Sequence, residues 1–195
     1  MENTVIYLLG LAGTGKYTIA KEICRQQGFH LVDNHLINNP VFSLIELDRK
    51  LPERVWQNTG KIWDVVIDTM LHLSPPDYSF VLTNELCEDD KNDKAWFQRV
   101  VAFIAERKSH FVPVRLSISE TALLQRCDTP ERRARMKDTN RDRARLRLQE
   151  KQVLLVEHDN VLNLDVSDIP PEEAARQIIS HAQQAKKQTL IGKKT

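Results

Sequence analysis

Apolar residues are distributed along this chain in two alternating patterns. Short segments rich in apolar residues occur at 4–9, 29–32, 78–83, 111–118 and 161–166, and each predicts a strand. The segments after these runs repeat apolar residues every three or four positions, which predicts amphipathic helices. Strands that alternate with helices indicate an α/β fold of three layers, α/β/α, around a five-stranded parallel sheet.

Local features refine this pattern at three places. Residues 38–40, Asn-Asn-Pro, predict a turn inside the segment 34–51, which we expect to be a loop with a short helix. Pro113 lacks an N–H group and therefore predicts that its strand lies at a sheet edge or begins there. Trp56 and Trp63 share the apolar stripe of a long helix, which favours core packing over ligand stacking.

The most specific motif directly follows the first strand. Gly10, Gly13, Thr14, Gly15 and Lys16 form a Gly-x-x-x-x-Gly-Lys loop that leads into a helix. Glycines let the backbone N–H groups wrap a phosphate chain, the helix N-terminus adds partial positive charge, and Lys16 adds a full charge. The loop therefore predicts a nucleotide phosphate site, with a glycine-rich turn that binds no ligand as the alternative.

The end of this loop departs from the common pattern. The Ser or Thr that usually follows the lysine and meets Mg²⁺ is replaced by Tyr17, and the nearest suitable hydroxyl belongs to Thr18. The ending is similar to the Gly-Lys-Gly-Thr of adenylate kinases, with tyrosine at the last glycine. That similarity makes Thr18 a candidate for the metal or a phosphate oxygen, whereas Tyr17 either contacts the nucleotide or packs beside the loop.

Polar side chains follow the second and third predicted strands. Asp33 and His35 come after the second strand, and Thr83, Asn84 and Glu85 end the third. The carboxyl ends of parallel strands meet at one edge of a sheet, so these residues should open into one cleft with the loop. Asp33 is a candidate to bind Mg²⁺ through water, to act as the catalytic base, or only to cap the turn that follows its strand.

The other polar residues of this cleft carry similar alternatives. His35 is either a general base or a surface histidine. Asn84 and Glu85 are candidate substrate contacts, with helix capping as the second interpretation of Asn84.

Arginines concentrate in the segment that follows the fourth strand and its helix. The segment 128–150 predicts an exposed helical hairpin or a mobile flap, and a solvated helix face accounts for most of its charge. Arg132 and Arg135 lie one helical turn apart and are candidate catalytic residues that stabilise charge on a transferring phosphoryl group. Arg126 is a candidate contact for the nucleotide base or phosphates.

Bulk properties narrow the partners of the protein. A chain of 195 residues suits one domain, and its formal net charge of +1 argues against a nucleic-acid partner. Cys24, Cys87 and Cys127 lack metal-type spacing and indicate reduced structural thiols. No signal peptide and no apolar run of roughly 18 residues occurs, so we expect a cytoplasmic protein without a membrane partner. The sequence does not indicate an oligomeric state.

With these residues the chain resembles the small P-loop kinases of the nucleoside-monophosphate-kinase type, which include shikimate kinase, gluconate kinase, adenylate kinase and chloramphenicol phosphotransferase. The resemblance covers nearly the whole chain and rests on the loop, Asp33, the stretch 114–126 and the arginine-rich segment. It implies the P-loop NTPase fold, ATP and Mg²⁺ as cofactors, an acceptor-binding segment at 34–73 and a lid at 128–145. The implied activity transfers the γ-phosphoryl group of ATP to a hydroxyl of a small molecule.

Two departures from the family pattern bear on the acceptor, and a third bears on whether the protein is catalytic. Shikimate-kinase-like members carry Asp-x-Asp after the second strand, but here the second acid is replaced by His35, which argues against shikimate. Adenylate-kinase-like members grip an acceptor phosphate with arginines, and this region offers only Arg49 and Arg54, which favours a non-phosphorylated acceptor. A nucleoside monophosphate kinase remains an alternative, and Tyr17 keeps a non-catalytic nucleotide-binding module as another.

Overall fold

The computed structural model of this chain describes residues 1–47, 51–134 and 137–192. A five-stranded sheet lies at its centre, with strand order β2-β3-β1-β4-β5 and parallel pairing throughout. The strands are β1 (Thr4–Leu9), β2 (His30–Asp33), β3 (Phe80–Asn84), β4 (His110–Ser117) and β5 (Leu162–Asp165). The predicted five-stranded parallel sheet is confirmed.

Helices cover both faces of the sheet, which confirms the three-layer architecture. One core contains buried residues of α1, α5 and α8, and the other contains buried residues of α2, α3 and α4. The helices are α1 (Lys16–Gln27), α2 (Asn34–Phe42), α3 (Glu53–His72), α4 (Lys91–Glu106), α5 (Glu120–Arg126), α6 (Pro130–Ala134), α7 (Arg141–Glu150) and α8 (Pro171–Gly192). The predicted helical hairpin corresponds to α6 and α7.

Strand β1 shows why its sequence is continuously apolar. Ile6 and Leu8 point into the core under α1 and α8, whereas Val5, Tyr7 and Leu9 point into the core under α3 and α4. A central parallel strand is buried on both faces, so every position favours an apolar side chain. The carboxyl end of β1 therefore delivers the glycine-rich loop from a rigid base.

Two local predictions are wrong. Residues 38–40 do not form a turn but continue α2, where Ile37 and Asn38 are buried. The short helix loses only the hydrogen bond that Pro40 cannot donate. Strand β4 is internal rather than an edge: its Pro113 pairs with Tyr7 of β1, and β5 begins only opposite Val114. The position of Pro113 thus has no β5 neighbour that needs its N–H.

The cysteines and the helix lengths bear on two further expectations. Cys24, Cys87 and Cys127 are free thiols, and burial raises the pKa of both Cys24 and Cys87 to about 11. A thiol with a raised pKa is a poor nucleophile, which agrees with a structural role.

Within the described residues, none of the helices is both long and apolar enough to cross a membrane.

Candidate functional site

The loop between β1 and α1 is built so that side chains would not fit at two of its glycines. A Cβ at Gly10 would lie 2.8 Å from Thr14 Oγ1, and a Cβ at Gly13 would overlap Leu123 Cδ1. Gly13 and Gly15 also have positive φ angles of +95° and +85°. Gly15 is the N-cap of α1, whose first turn contains no acidic residue. This tight backbone and an unopposed helix N-terminus suit an anion.

Lys16 folds back over this loop. Its Nζ donates hydrogen bonds to the carbonyl oxygens of Gly10 at 2.6 Å and of Leu11 at 3.0 Å. Burial lowers the pKa of Lys16 to about 8, although the carboxylates of Glu85 and Asp33 oppose this shift. Lys16 is therefore mostly charged at neutral pH. Its Nζ could donate to the oxygens of a bound phosphate in place of these carbonyl oxygens.

Thr14 stabilises the loop through contacts within it and is not among the residues that line the cleft described below. Its side chain is buried, and its Oγ1 donates to the Leu11 carbonyl at 2.9 Å. The backbone N–H of Thr14 donates to the same carbonyl at 3.3 Å. Both donors of Thr14 thus stabilise the turn itself.

A cleft of about 1410 Å³ opens at the carboxyl ends of the strands, where the parallel sheet predicts a ligand site. It brings together most of the residues that the sequence singled out: Gly13, Gly15, Lys16, Tyr17, Thr18, Asp33, His35, Asn84, Glu85, Arg126 and Arg132. Gly10 and Thr14 belong to the glycine-rich loop but do not line the cleft. Arg135 and Arg49 lie outside the described residues.

Asp33 is fixed at the floor of this cleft by strand pairing. It is only 2% exposed, and its Oδ1 accepts a hydrogen bond from Thr83 Oγ1 at 2.6 Å. Asp33 and Thr83 are partners in the β2–β3 ladder, so the backbone register sets this contact. Asp33 occupies the N-cap position of α2, but its side chain makes no capping hydrogen bond, so the capping interpretation is wrong.

Asn84 and Glu85 have structural partners at the end of β3. The Asn84 Oδ1 accepts a hydrogen bond at 3.0 Å from the hydroxyl of Tyr7, which is fully buried. Helix α4 is capped by Asp90, so the predicted capping role of Asn84 is wrong. Glu85 forms an ion pair with Arg147 of α7. This ion pair connects the carboxyl end of β3 to the arginine-rich segment.

Arg147 was missed by the sequence analysis, because it lies beyond the predicted lid. Burial disfavours its charge, but the Glu85 carboxylate outweighs burial and raises the pKa of Arg147. Arg143 and Arg147 both line the cleft. Their i, i+4 spacing on one helix face is the sequence signal that could have identified the pair.

The other candidate arginines hold the segment around the cleft together. Arg132 Nε donates to the Cys127 carbonyl at 2.9 Å, and its Nη2 donates to the Asp138 carbonyl at 2.7 Å. Arg126 Nη2 donates to the Ser167 carbonyl at 2.7 Å, which connects α5 to the loop after β5. Burial lowers the pKa of Arg132, yet a guanidinium remains charged at neutral pH.

Tyr17 lies between the loop and the arginine-rich segment. The Nζ of Lys137 stands 5.0 Å from the centroid of its ring, and the Nζ of Lys21 stands 5.5 Å from it. Tyr17 lines the cleft as well, so it packs beside the loop and borders the ligand space.

The oxygen donors in the cleft fit a magnesium ion that keeps most of its water. Thr18 is exposed, and both it and Asp33 line the cleft. Within the described part of the chain, no cluster of three or more His, Cys, Asp or Glu residues forms a metal cage. Mg²⁺ is commonly held by one or two protein oxygens together with water and substrate phosphates, so Thr18 and Asp33 are the residues that could hold such an ion here.

The segment 34–73 gives another wall of the cleft an apolar character. Trp63 is 4% exposed and packs on Trp96, which confirms its core role, but Trp56 is 51% exposed, so its core prediction is wrong. Trp56 follows the buried Val55 by one position, which rotates it from the core face of α3 towards the cleft. Phe42 contacts Trp56 with ring centroids 5.9 Å apart and planes at 84°.

Comparison with known proteins identifies the fold. No protein-family model matches the sequence, and no curated protein matches it. A gluconokinase structure from Sinorhizobium meliloti matches with a TM-score of 0.62 at 12% identity, covering 97% of each chain. A sugar kinase from Janibacter matches with a TM-score of 0.55 at 11% identity, covering 93% of this chain and 95% of the other.

An APS kinase from Mycobacterium tuberculosis, solved with AMPPNP and APS, has a TM-score of 0.52 at 15% identity and covers 93% of this chain and 98% of its own. The chain has the P-loop kinase fold. Within that fold, β1 and α1 carry the glycine-rich loop, and the cleft lies where the fold places its ligands.

Proposed function

We propose that the protein is an ATP-dependent phosphotransferase that moves the γ-phosphoryl group of Mg·ATP to a hydroxyl group of a small molecule. One observation carries this proposal: the charged Lys16 on its glycine-rich loop and the buried carboxylate of Asp33 line the same cleft. The first suits a phosphate donor, and the second suits a hydroxyl acceptor.

The donor half of the reaction requires phosphate binding and neutralisation of charge. Lys16 and the N-terminus of α1 supply positive potential at the loop, and Arg126 of α5 and Arg132 of α6 add guanidinium groups to the same cleft. Thr18 would hold Mg²⁺, with Asp33 reaching the ion only through a bound water, and the ion would neutralise charge on the phosphate oxygens.

The acceptor half requires a group that orients a hydroxyl and accepts its proton. The hydrogen bond from Thr83 holds the Asp33 carboxylate in place, so it is preorganised for this task. As the hydroxyl oxygen bonds to the γ-phosphorus, the bond to the bridging oxygen of ADP breaks and the hydroxyl proton passes to Asp33. His35 in the same cleft is the second candidate base.

The structural relatives support this proposal through their names. They are a gluconokinase, a sugar kinase and an APS kinase, and the last was solved with AMPPNP, an analogue of ATP. Each of these names denotes transfer of a phosphoryl group to a small molecule.

Transfer of isotopic label from the γ-phosphate of ATP tests the proposal. The protein is incubated with labelled Mg·ATP and a panel of sugars, hydroxy acids, nucleosides, nucleoside monophosphates and aryl alcohols, and new phosphate esters are separated by chromatography. Asp33→Asn keeps an oxygen that can accept the Thr83 hydrogen bond but is a much weaker base, so turnover should fall by roughly a hundredfold. Asp77→Asn, an exposed carboxylate away from the cleft, is the matched control.

One outcome would contradict this proposal, and a second would contradict its assignment of the base. Label that never leaves ATP for any acceptor, although Mg·ATP binds, would indicate a nucleotide-binding regulatory module. Transfer that survives Asp33→Asn unchanged would contradict the assignment of Asp33 as the base, though not phosphoryl transfer itself, and would make His35 the next residue to test.

A further inference from the structure

The acceptor side of the cleft exposes apolar surface that phosphoryl transfer itself does not require. Trp56 is 51% exposed and Leu47 is 38% exposed, and both line the cleft together with Phe42 and Leu51. Large apolar side chains grouped in a concave site, rather than scattered over the surface, mark a ligand-binding surface.

The indole of Trp56 is held by two helices rather than left mobile. Its neighbour Val55 is buried and anchors that turn of α3 in the core. Phe42 at the end of α2 meets the indole nearly perpendicularly, at 84° and 5.9 Å between centroids. An aromatic pair in this geometry is mutually stabilising, so half of the indole stays presented to the cleft in a fixed orientation.

Charge in the cleft is divided between its two sides. Among the residues that the structure describes, the basic side chains that line the cleft belong to the glycine-rich loop or to the chain after α5 begins: Lys16, Arg126, Arg132, Lys137, Arg143 and Arg147. Within the segment 34–73, the described residues that line the cleft are Asn34, His35, Phe42, Leu47, Leu51 and Trp56, and none is Lys or Arg. Positive charge is thus concentrated where the nucleotide phosphates would bind, and the opposite wall presents aromatic and aliphatic groups.

We infer that the phosphoryl acceptor is an alcohol that carries an aromatic ring, which stacks on Trp56 while its hydroxyl reaches Asp33. This inference rests on the proposed phosphotransferase function. A flat ring would cover the exposed indole, whose exposure phosphoryl transfer itself does not require.

Label transfer with matched acceptors tests the inference. The probes are benzyl alcohol, its saturated analogue cyclohexylmethanol, uridine, gluconate and uridine monophosphate, each with Mg·ATP. We expect the aromatic alcohols, benzyl alcohol and uridine, to exceed the saturated probes in kcat/KM. Trp56→Ala should raise the KM of these aromatic alcohols by about tenfold and leave kcat within about twofold, because stacking contributes to binding rather than to bond breaking. Trp56→Phe keeps an aromatic face and should recover most of this loss.

The control variant is Val65→Ala. Val65 is also an exposed apolar residue of α3, at 66%, but it does not line the cleft. Its substitution should leave the KM of every probe unchanged. Light scattering compares the mass of the wild type and of Trp56→Ala in solution, since loss of a dimer in the variant would show that the indole covers a second copy and would overturn the inference.

A second readout separates this inference from the proposed function. Tryptophan fluorescence is titrated with each probe without nucleotide, and quenching by the aromatic alcohols should be lost in Trp56→Phe as well as in Trp56→Ala if Trp56 is the reporter. Transfer of label mainly to gluconate or uridine monophosphate, with KM values unaffected by Trp56→Ala, would refute the aromatic acceptor and leave the phosphotransferase intact. Quenching without label transfer to any probe would instead refute the phosphotransferase.

Discussion

Two parts of the basic cleft wall, the glycine-rich loop and the arginine-rich segment, are held in place by different kinds of contact. The loop packs against the core so closely that Gly10 and Gly13 leave no room for a Cβ, and Lys16 is hydrogen-bonded to the loop's own carbonyls. The arginine-rich segment is held largely by exposed ion pairs, such as those between Arg133 and Asp128 and between Arg143 and Asp138.

This difference separates a rigid part of the cleft, the glycine-rich loop, from a part that can rearrange, the arginine-rich segment. A loop fixed by core packing presents the same geometry to every nucleotide, whereas surface ion pairs contribute little stability and rearrange at small cost. Substitutions in the loop should therefore affect both folding and chemistry, and substitutions in the exposed ion pairs should affect neither strongly.

The largest expected effect belongs to the glycine-rich loop. Lys16→Ala removes the only full positive charge of the glycine-rich loop, Gly10 to Lys16, and should lower turnover by roughly 10²- to 10³-fold. The measurement is steady-state label transfer from ATP. Lys61→Ala, an exposed lysine of α3 outside the cleft, should retain the wild-type rate. An equal loss in both variants would mean that the loop has no special role.

A glycine pair tests whether core packing fixes the loop. Gly13→Ala forces a methyl group against the buried Leu123 at a φ of +95°, and we expect the free energy of unfolding to fall by about 1–3 kcal/mol. Urea denaturation followed by circular dichroism measures this value. Gly60→Ala lies in a helix with open space around it and should instead add about 0.5–1 kcal/mol. Similar values for the two variants would contradict the packing argument.

The pH dependence of nucleotide binding isolates the charge of Lys16. Because burial lowers its pKa to about 8, the free protein loses this charge as pH rises through that value. The affinity for Mg·ATP should be flat below pH 8 and fall by up to about tenfold per pH unit above it. Lys16→Arg stays charged throughout this range and should show a flat profile in the same calorimetric titration. A wild-type profile that stays flat to pH 9.5 would show that the Lys16 charge does not contribute to binding.

The smallest effect is expected for an exposed ion pair. Arg133→Gln breaks both hydrogen bonds to Asp128, at 2.9 and 2.8 Å, yet the side chain is 67% exposed and does not line the cleft. Its effect on the free energy of unfolding should be below about 1 kcal/mol, with turnover unchanged. A larger loss of stability or of turnover would show that Arg133 contributes to folding or catalysis, and it would remove the contrast between the glycine-rich loop and the arginine-rich segment.

The parts of this structure that could be predicted are those determined by residues close together in the sequence. The apolar run of β1 and the spacing of Gly10, Gly13, Gly15 and Lys16 each carry their structure within a few residues, and the structure agrees with both. Asp33 was found by the rule that ligands bind at the carboxyl ends of parallel strands, which needs only strand order.

The missed features depend on contacts between distant segments. Helical periodicity alone places Trp56 and Trp63 on one stripe, and only the contacts of Trp63 with Trp96 of α4 and Asn34 of α2 show which of them is covered. The strand position of Pro113 depends on where β5 begins, and the role of Arg147 depends on Glu85, which lies 62 residues earlier in the sequence. Neither dependence is visible in a local window.

The most direct test of the central claim is a calorimetric titration of the wild-type protein with Mg·ATP, with Lys16→Ala titrated in parallel. The account predicts one nucleotide site per chain in the wild type and affinity weakened by about tenfold or more in the variant, since the loop and Lys16 form the phosphate site. Absence of binding to the wild type, or equal affinity in both proteins, would contradict it.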